Sequence, residues 1–136
     1  MIVFDTSTLV GAAIGRGSVP DRAVRHAFTA DQVAMSEAML SELRDVLARP
    51  RLARFLDPEL RDEVLALLDA FGIFFVPTEA VTDCRDAKDD KVLELALAAG
   101  AAVIVSSDAD LLVLHPWRGV RVLRPVDYLA EVNGGA

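Results

Sequence analysis

Two apolar runs rich in β-branched residues each lead to an aspartate. Ile2-Val3-Phe4 runs into Asp5, and Val103-Ile104-Val105 runs through Ser106-Ser107 into Asp108. Such runs suit strands buried on both faces of a parallel sheet. Ligands of open α/β sheets bind just beyond the carboxyl ends of the strands. Two acids delivered to that edge from opposite ends of the sequence make a candidate site for a hard divalent cation.

Further acids border the same elements. A helix from Ser36 carries Met39, Leu40, Leu43, Val46 and Leu47 on one face, with Glu42 at its border and Ser41 and Asp45 pointing to water. Taken alone, Glu42 is an ordinary boundary glutamate. The stretch from Asp83 to Asp90 is dense in acids and leads a helix whose buried stripe is Leu93, Ala96 and Leu97. Asp86 suits a helix cap, whereas Asp89 and Asp90 both project toward that stripe, where repulsion between them calls for a cation. After the second apolar run, Asp108 is the better ligand and Asp110 is expected to cap the Leu111-Leu112 turn. An all-oxygen donor set favours Mg²⁺ or Mn²⁺ over zinc. His26 and His115, the two histidines, are expected to be surface or packing residues rather than ligands.

The elements that must position these groups alternate. Strands are predicted at residues 2–5, 32–35, 73–76, 102–105 and 120–123. Helices are predicted at 21–30, 36–49, 58–71 and 86–99, with a last one from 125 or 126 to 132. That order predicts an α/β fold, a three-layer α/β/α arrangement around a central, mostly parallel sheet. The 136 residues suit a single domain spanning 1–136. No apolar run approaches the roughly 20 residues of a membrane-spanning helix. With one cysteine, Cys84, and a strand rather than a basic leader at the start, the expected location is a reducing cytoplasm without a secretory signal. A net charge of −7 argues against non-specific coating of nucleic acid. It leaves open an enzyme that reaches a phosphodiester through bound metal, or a chain neutralised by a basic partner.

Four blocks, in this order, resemble the PIN-domain family of metal-dependent ribonucleases, in the branch of toxins from toxin–antitoxin pairs (VapC-like). They are Val3 to Val10, Ser36 to Leu43, Arg85 to Leu93 and Val105 to Leu112. The resemblance implies that Asp5, Glu42, Asp89 and Asp108 form the catalytic acidic cluster, with Asp5, Asp89 and Asp108 on Mg²⁺ or Mn²⁺. Asp90 is the alternative third acid, and Ser7 and Ser106 are supporting polar residues. It also implies an RNA substrate, a small antitoxin partner, and a homodimer as in relatives. Ala87, where the branch commonly has proline, and Ser106-Ser107, in place of a common Thr-Gly, depart from the pattern without removing a carboxylate. Arg44, Arg49, Arg51 and Arg54 lie on or after the helix of Glu42, and Lys88 and Lys91 flank the third acid. Of these, Arg44, Arg49, Lys88 and Lys91 are the expected RNA contacts.

Rivals fit less well. A receiver domain wants an acidic pair after its first strand, where Thr6 stands, and a lysine after its last, where Arg124 stands. A phosphotransferase with nucleophilic Asp5 wants a second acid at the position of Ser7. A Toprim-like nuclease leaves Asp5 and the Asp86 to Asp90 cluster unused. A catalytically silent PIN-fold binding module would have no need of intact acids.

Overall fold

The computed structural model describes residues 1–134, so residues 135 and 136 of the expected domain lie outside the described part. The first strand, β1 (Ile2–Phe4), pairs in parallel with β4 (Val103–Val105), which pairs in parallel with β5 (Arg121–Leu123). On the other side, β2 (Ala34–Met35) joins β1 through a parallel bridge between Ile2 and Val33, and pairs in parallel with β3 (Ile73–Phe74). Read across, the order is β3-β2-β1-β4-β5. The chain moves outward from β1 to β2 and β3, then returns to the opposite flank for β4 and β5. The carboxyl ends of β1 and β4 therefore flank the point where the strand order reverses, the crevice that open α/β sheets use for binding.

Right-handed crossovers in opposite directions put helices on opposite faces of the sheet. Helix α5 (Asp90–Ala99) packs on β1, β2 and β4. The other layer is knitted by α1 (Thr6–Ile14) against α2 (Val19–Ala30), α3 (Glu37–Leu47) and α4 (Pro58–Phe71), and by α2 against α7 (Pro125–Gly134). The short α6 (Ala109–Leu112) follows β4. This is the three-layer α/β/α arrangement expected from the alternating pattern. Val3 and Phe4 alternate across the pleat and both are fully buried, as are Ile104 and Val105. Burying each such side chain contributes about 1.5–3 kcal/mol.

Local chemistry sets the boundaries. Ser36 stands outside α3 as its cap, accepting from Met39 N at 3.2 Å. The helix then stops at Leu47, short of the expected residue 49, because Arg49 precedes Pro50 and is extended. Ser18 caps α2, which starts at Val19 with Pro20 in its first turn, where no amide donor is needed. Asp57 and Pro58 open α4, and Gly72 ends it. A Cβ on Gly72 would sit 2.5 Å from the Leu68 carbonyl oxygen. The expected helix 86–99 is broken: a 3₁₀ turn at Ala87–Asp89 precedes α5, which Gly100 closes in the left-handed conformation at φ 60°. The predicted strand 73–76 ends at Phe74, as an edge strand with β2 on one side and exposed Val76 beyond. Helix α1, absent from the sequence expectation, is the largest correction.

Candidate active site

Asp5 follows β1 and caps α1, and its carboxylate is almost fully immobilised. Oδ1 accepts from Thr8 N at 2.9 Å; Oδ2 accepts from Ser7 Oγ at 2.8 Å and Ser106 Oγ at 2.5 Å. Strand register explains the last contact. Phe4 pairs with Val105, so the residues that follow, Asp5 and Ser106, emerge side by side. Asp5 is 3% exposed and Ser106 fully buried. Ser106 Oγ also accepts from Asp108 N at 2.9 Å, tying the turn after β4 to the acid after β1.

Asp108 caps α6 by accepting from Asp110 N at 2.9 Å, which corrects the expectation that Asp110 would cap this turn. Freed from that job, the Asp110 side chain turns back toward Asp86 and Asp89. One carboxylate oxygen from each of these three lies within 4.8 Å of the others. Neither Asp86 nor Asp110 stands out as a site acid in the sequence, since each has a sufficient role as a cap. Asp86 does cap its turn, accepting from Lys88 N at 3.1 Å, and still lines the cleft.

Asp89 is the centre of the cluster. Its Oδ2 is buried and has no hydrogen-bond partner among the described residues. Burial, followed by the adjoining Asp108 carboxyl and then the charges of Asp86 and Asp5, pushes the Asp89 carboxyl up to about 7. Asp90, the alternative third acid, does not line the cleft. It is buried beneath the loop before α5, accepting from Cys84 N at 2.9 Å, because it lies one residue further round the turn.

Asp5, Asp86, Asp89 and Asp108 line a cleft of about 390 Å³, with Thr6, Ser7, Val10, Glu42 and Val46 among its walls. Glu42 reaches it from α3, and its carboxylate is ion-paired with Lys91 of α5. Arg49, Arg51 and Lys88 line the same cleft. Two of the expected RNA contacts lie outside the cleft. Arg44 points along α3 to Asp69 of α4, bonded at 3.0 Å, and does not line the cleft, because it lies two residues round the helix from Glu42. Lys91 does not line the cleft either, its ammonium being engaged by Glu42. Neither histidine lines the cleft, and His115 is exposed. Trp117 is buried with Nε1 donating to Asp83 Oδ2 at 2.9 Å, His115 Nδ1 accepts from Val122 N, and His26 packs edge-on against Tyr128. Among the described residues no helix is long and apolar enough to cross a membrane.

A hard divalent cation fits this donor set. The clustered groups are carboxylates, one carries an orphaned buried oxygen, and their mutual repulsion raises a proton affinity that a cation would offset. No histidine or cysteine lines the cleft among the described residues.

The PIN domain family model matches residues 1–110, from β1 through the last acid of the cluster, leaving β5 and α7 beyond the match. Over 118 residues the chain is 28% identical to the uncharacterized protein MJ1680 of Methanocaldococcus jannaschii, covering 84% of this chain and 74% of that protein. With the match spanning most of the chain and every acid of the cleft inside it, the chain belongs to the PIN-domain family, a family of nucleases.

Proposed function

We propose that this protein is a metal-dependent endoribonuclease and the toxin of a type II toxin–antitoxin pair. The observation that carries the metal dependence is Asp89, a carboxylate with an unpartnered buried oxygen set against Asp108, Asp86 and Asp5 at the strand-order reversal. Asp5, Asp89 and Asp108 would hold Mg²⁺ or Mn²⁺. When bound, the cation supplies a lowered pKa for water and relief of charge on the phosphate.

The chain's own residues do the rest. Ser7, Thr8 and Ser106 fix both oxygens of Asp5, so no reorientation is needed when substrate arrives. Glu42, at the cleft wall, orients water. Arg49, Arg51 and Lys88 hold the RNA backbone against an otherwise acidic surface. The Ser7 hydroxyl is already donated to Asp5, so water is the attacking group, and the reaction is hydrolysis of a phosphodiester bond. The net charge of −7 and the open acidic cleft suit a small basic antitoxin that covers the site, and the protein would act in the cytoplasm, as a homodimer.

Purified protein incubated with end-labelled single-stranded RNA should cut it with Mg²⁺ or Mn²⁺ and not with EDTA, and Asp5→Asn and Asp108→Asn should each lose about 100-fold or more. Cutting that survives EDTA or both substitutions would overturn the site assignment. Expression should arrest growth in a way that Asp108→Asn relieves. Unimpaired growth with an active nuclease would remove the toxin role alone.

A further inference from the structure

Glu42 and Lys91 come from opposite layers of the fold, α3 and α5, and meet as an ion pair. Their side chains are 30% and 33% exposed, respectively, partly shielded from the solvent that weakens surface pairs. Outside the cleft lining, Asp110 pairs with Arg85 at 3.7 Å, and the other acids that line the cleft are in the opposite condition to Glu42. Among the described residues no cationic side chain forms an ion pair with Asp5, Asp86, Asp89 or Asp108, although Asp89 is pressed against three of these charges. The cleft is thus divided into one acid already neutralised by the chain and a group of acids left uncompensated.

We propose that Lys91 is a built-in counter-charge that holds Glu42 out of cation coordination and limits the cleft to one divalent cation. The inference rests on the metal-dependent reading above. A carboxylate whose oxygen accepts from an ammonium has its charge compensated, and a second dication beside it would stand against the ammonium. The uncompensated side, by contrast, offers carboxylates from three separate elements, which suits one hard cation. Lys91 lies two residues after Asp89, so the same contact locks Glu42 of α3 to the segment that carries the central acid. Lys91 is in this sense a positioning residue, acting through Glu42.

Counting bound Mn²⁺ by calorimetry, with free Mn²⁺ read by electron paramagnetic resonance, tests this without any activity measurement. The wild type should bind one Mn²⁺ per chain. Lys91→Met and Lys91→Gln should each bind two, because Glu42 is released, and Lys91→Arg should return to one. The double variant Lys91→Met with Glu42→Gln should also return to one, which a merely structural clip between α3 and α5 would not produce. Circular dichroism confirms that each variant is folded. Two Mn²⁺ in the wild type, or one in both folded Lys91→Met and Lys91→Gln, would overturn the proposal while leaving the metal-dependent nuclease intact. No Mn²⁺ in the wild type would overturn both.

Discussion

Replacing Asp89 by asparagine should make the metal-free protein more stable while destroying its activity. The Asp89 carboxyl has an ordinary value of 3.8 and is pushed up to about 7 by burial and by Asp108, Asp86 and Asp5. Between those values the folded chain holds a proton that the unfolded chain has released, so stability falls as pH rises from about 4 to about 7. At 1.36 kcal/mol per pH unit, the full gap corresponds to about 4 kcal/mol. Asp89 faces an open cleft, and solvent screening reduces this to about 1–2 kcal/mol. The substituted amide would carry no charge, and the backbone position at the start of α5 tolerates asparagine well. Urea unfolding in EDTA at pH 8 should therefore show Asp89→Asn with a midpoint about 0.5–1 M higher than wild type, given a slope of about 2 kcal/mol per M. The difference should shrink toward zero near pH 4. A variant less stable than wild type at pH 8, or an advantage independent of pH, would refute the repulsion that the cation is invoked to relieve.

Three further outcomes follow from the same geometry. Ser106→Ala removes the donor to Asp5 and the acceptor for Asp108 N, so it should lower stability by about 1–3 kcal/mol in urea melts. It should also weaken Mn²⁺ binding by about 10–100-fold in calorimetry; unchanged binding would show that Asp5 needs no such orientation. Substituting Arg49, Arg51 or Lys88 by alanine should each weaken RNA binding and reduce the salt slope by about 0.7 in filter-binding assays, whereas Arg44→Ala, paired with Asp69, should change neither. Burial pushes the Cys84 thiol pKa up, so the folded protein should react slowly with a thiol reagent at pH 8 and rapidly in urea. Rapid labelling of the folded chain would contradict the packing of the loop before α5.

Much of this architecture is legible in the sequence because the strongest signals are local. Apolar runs ending on Asp5 and Asp108 give two central strands, and Asp57-Pro58 with Gly72 gives α4 to the residue. Helix α1 is hidden for a physical reason: Thr6-Ser7-Thr8-Leu9-Val10 is rich in β-branched and short polar residues, which favour strands and turns. It becomes helical because Asp5 caps it and because Leu9, Ala12 and Ala13 are buried against the neighbouring helices. The four acids Asp5, Glu42, Asp89 and Asp108 do line one cleft, but the distinction between Asp89 and Asp90 depends on the tertiary contact of Asp90 with Cys84 N. Likewise, no spacing rule pairs Glu42 with Lys91, which lie 49 residues apart, and Asp110 joins the cluster only because Asp108 takes the capping role.

Anomalous scattering from crystals soaked in Mn²⁺ would locate the divalent cation proposed among Asp5, Asp89 and Asp108. A peak is expected in the cleft within coordination distance of the Asp89 and Asp108 carboxylates, lost in Asp89→Asn crystals soaked identically. A wild-type map without a peak in this cleft at saturating Mn²⁺, or a peak indifferent to the Asp89 substitution, would contradict that placement.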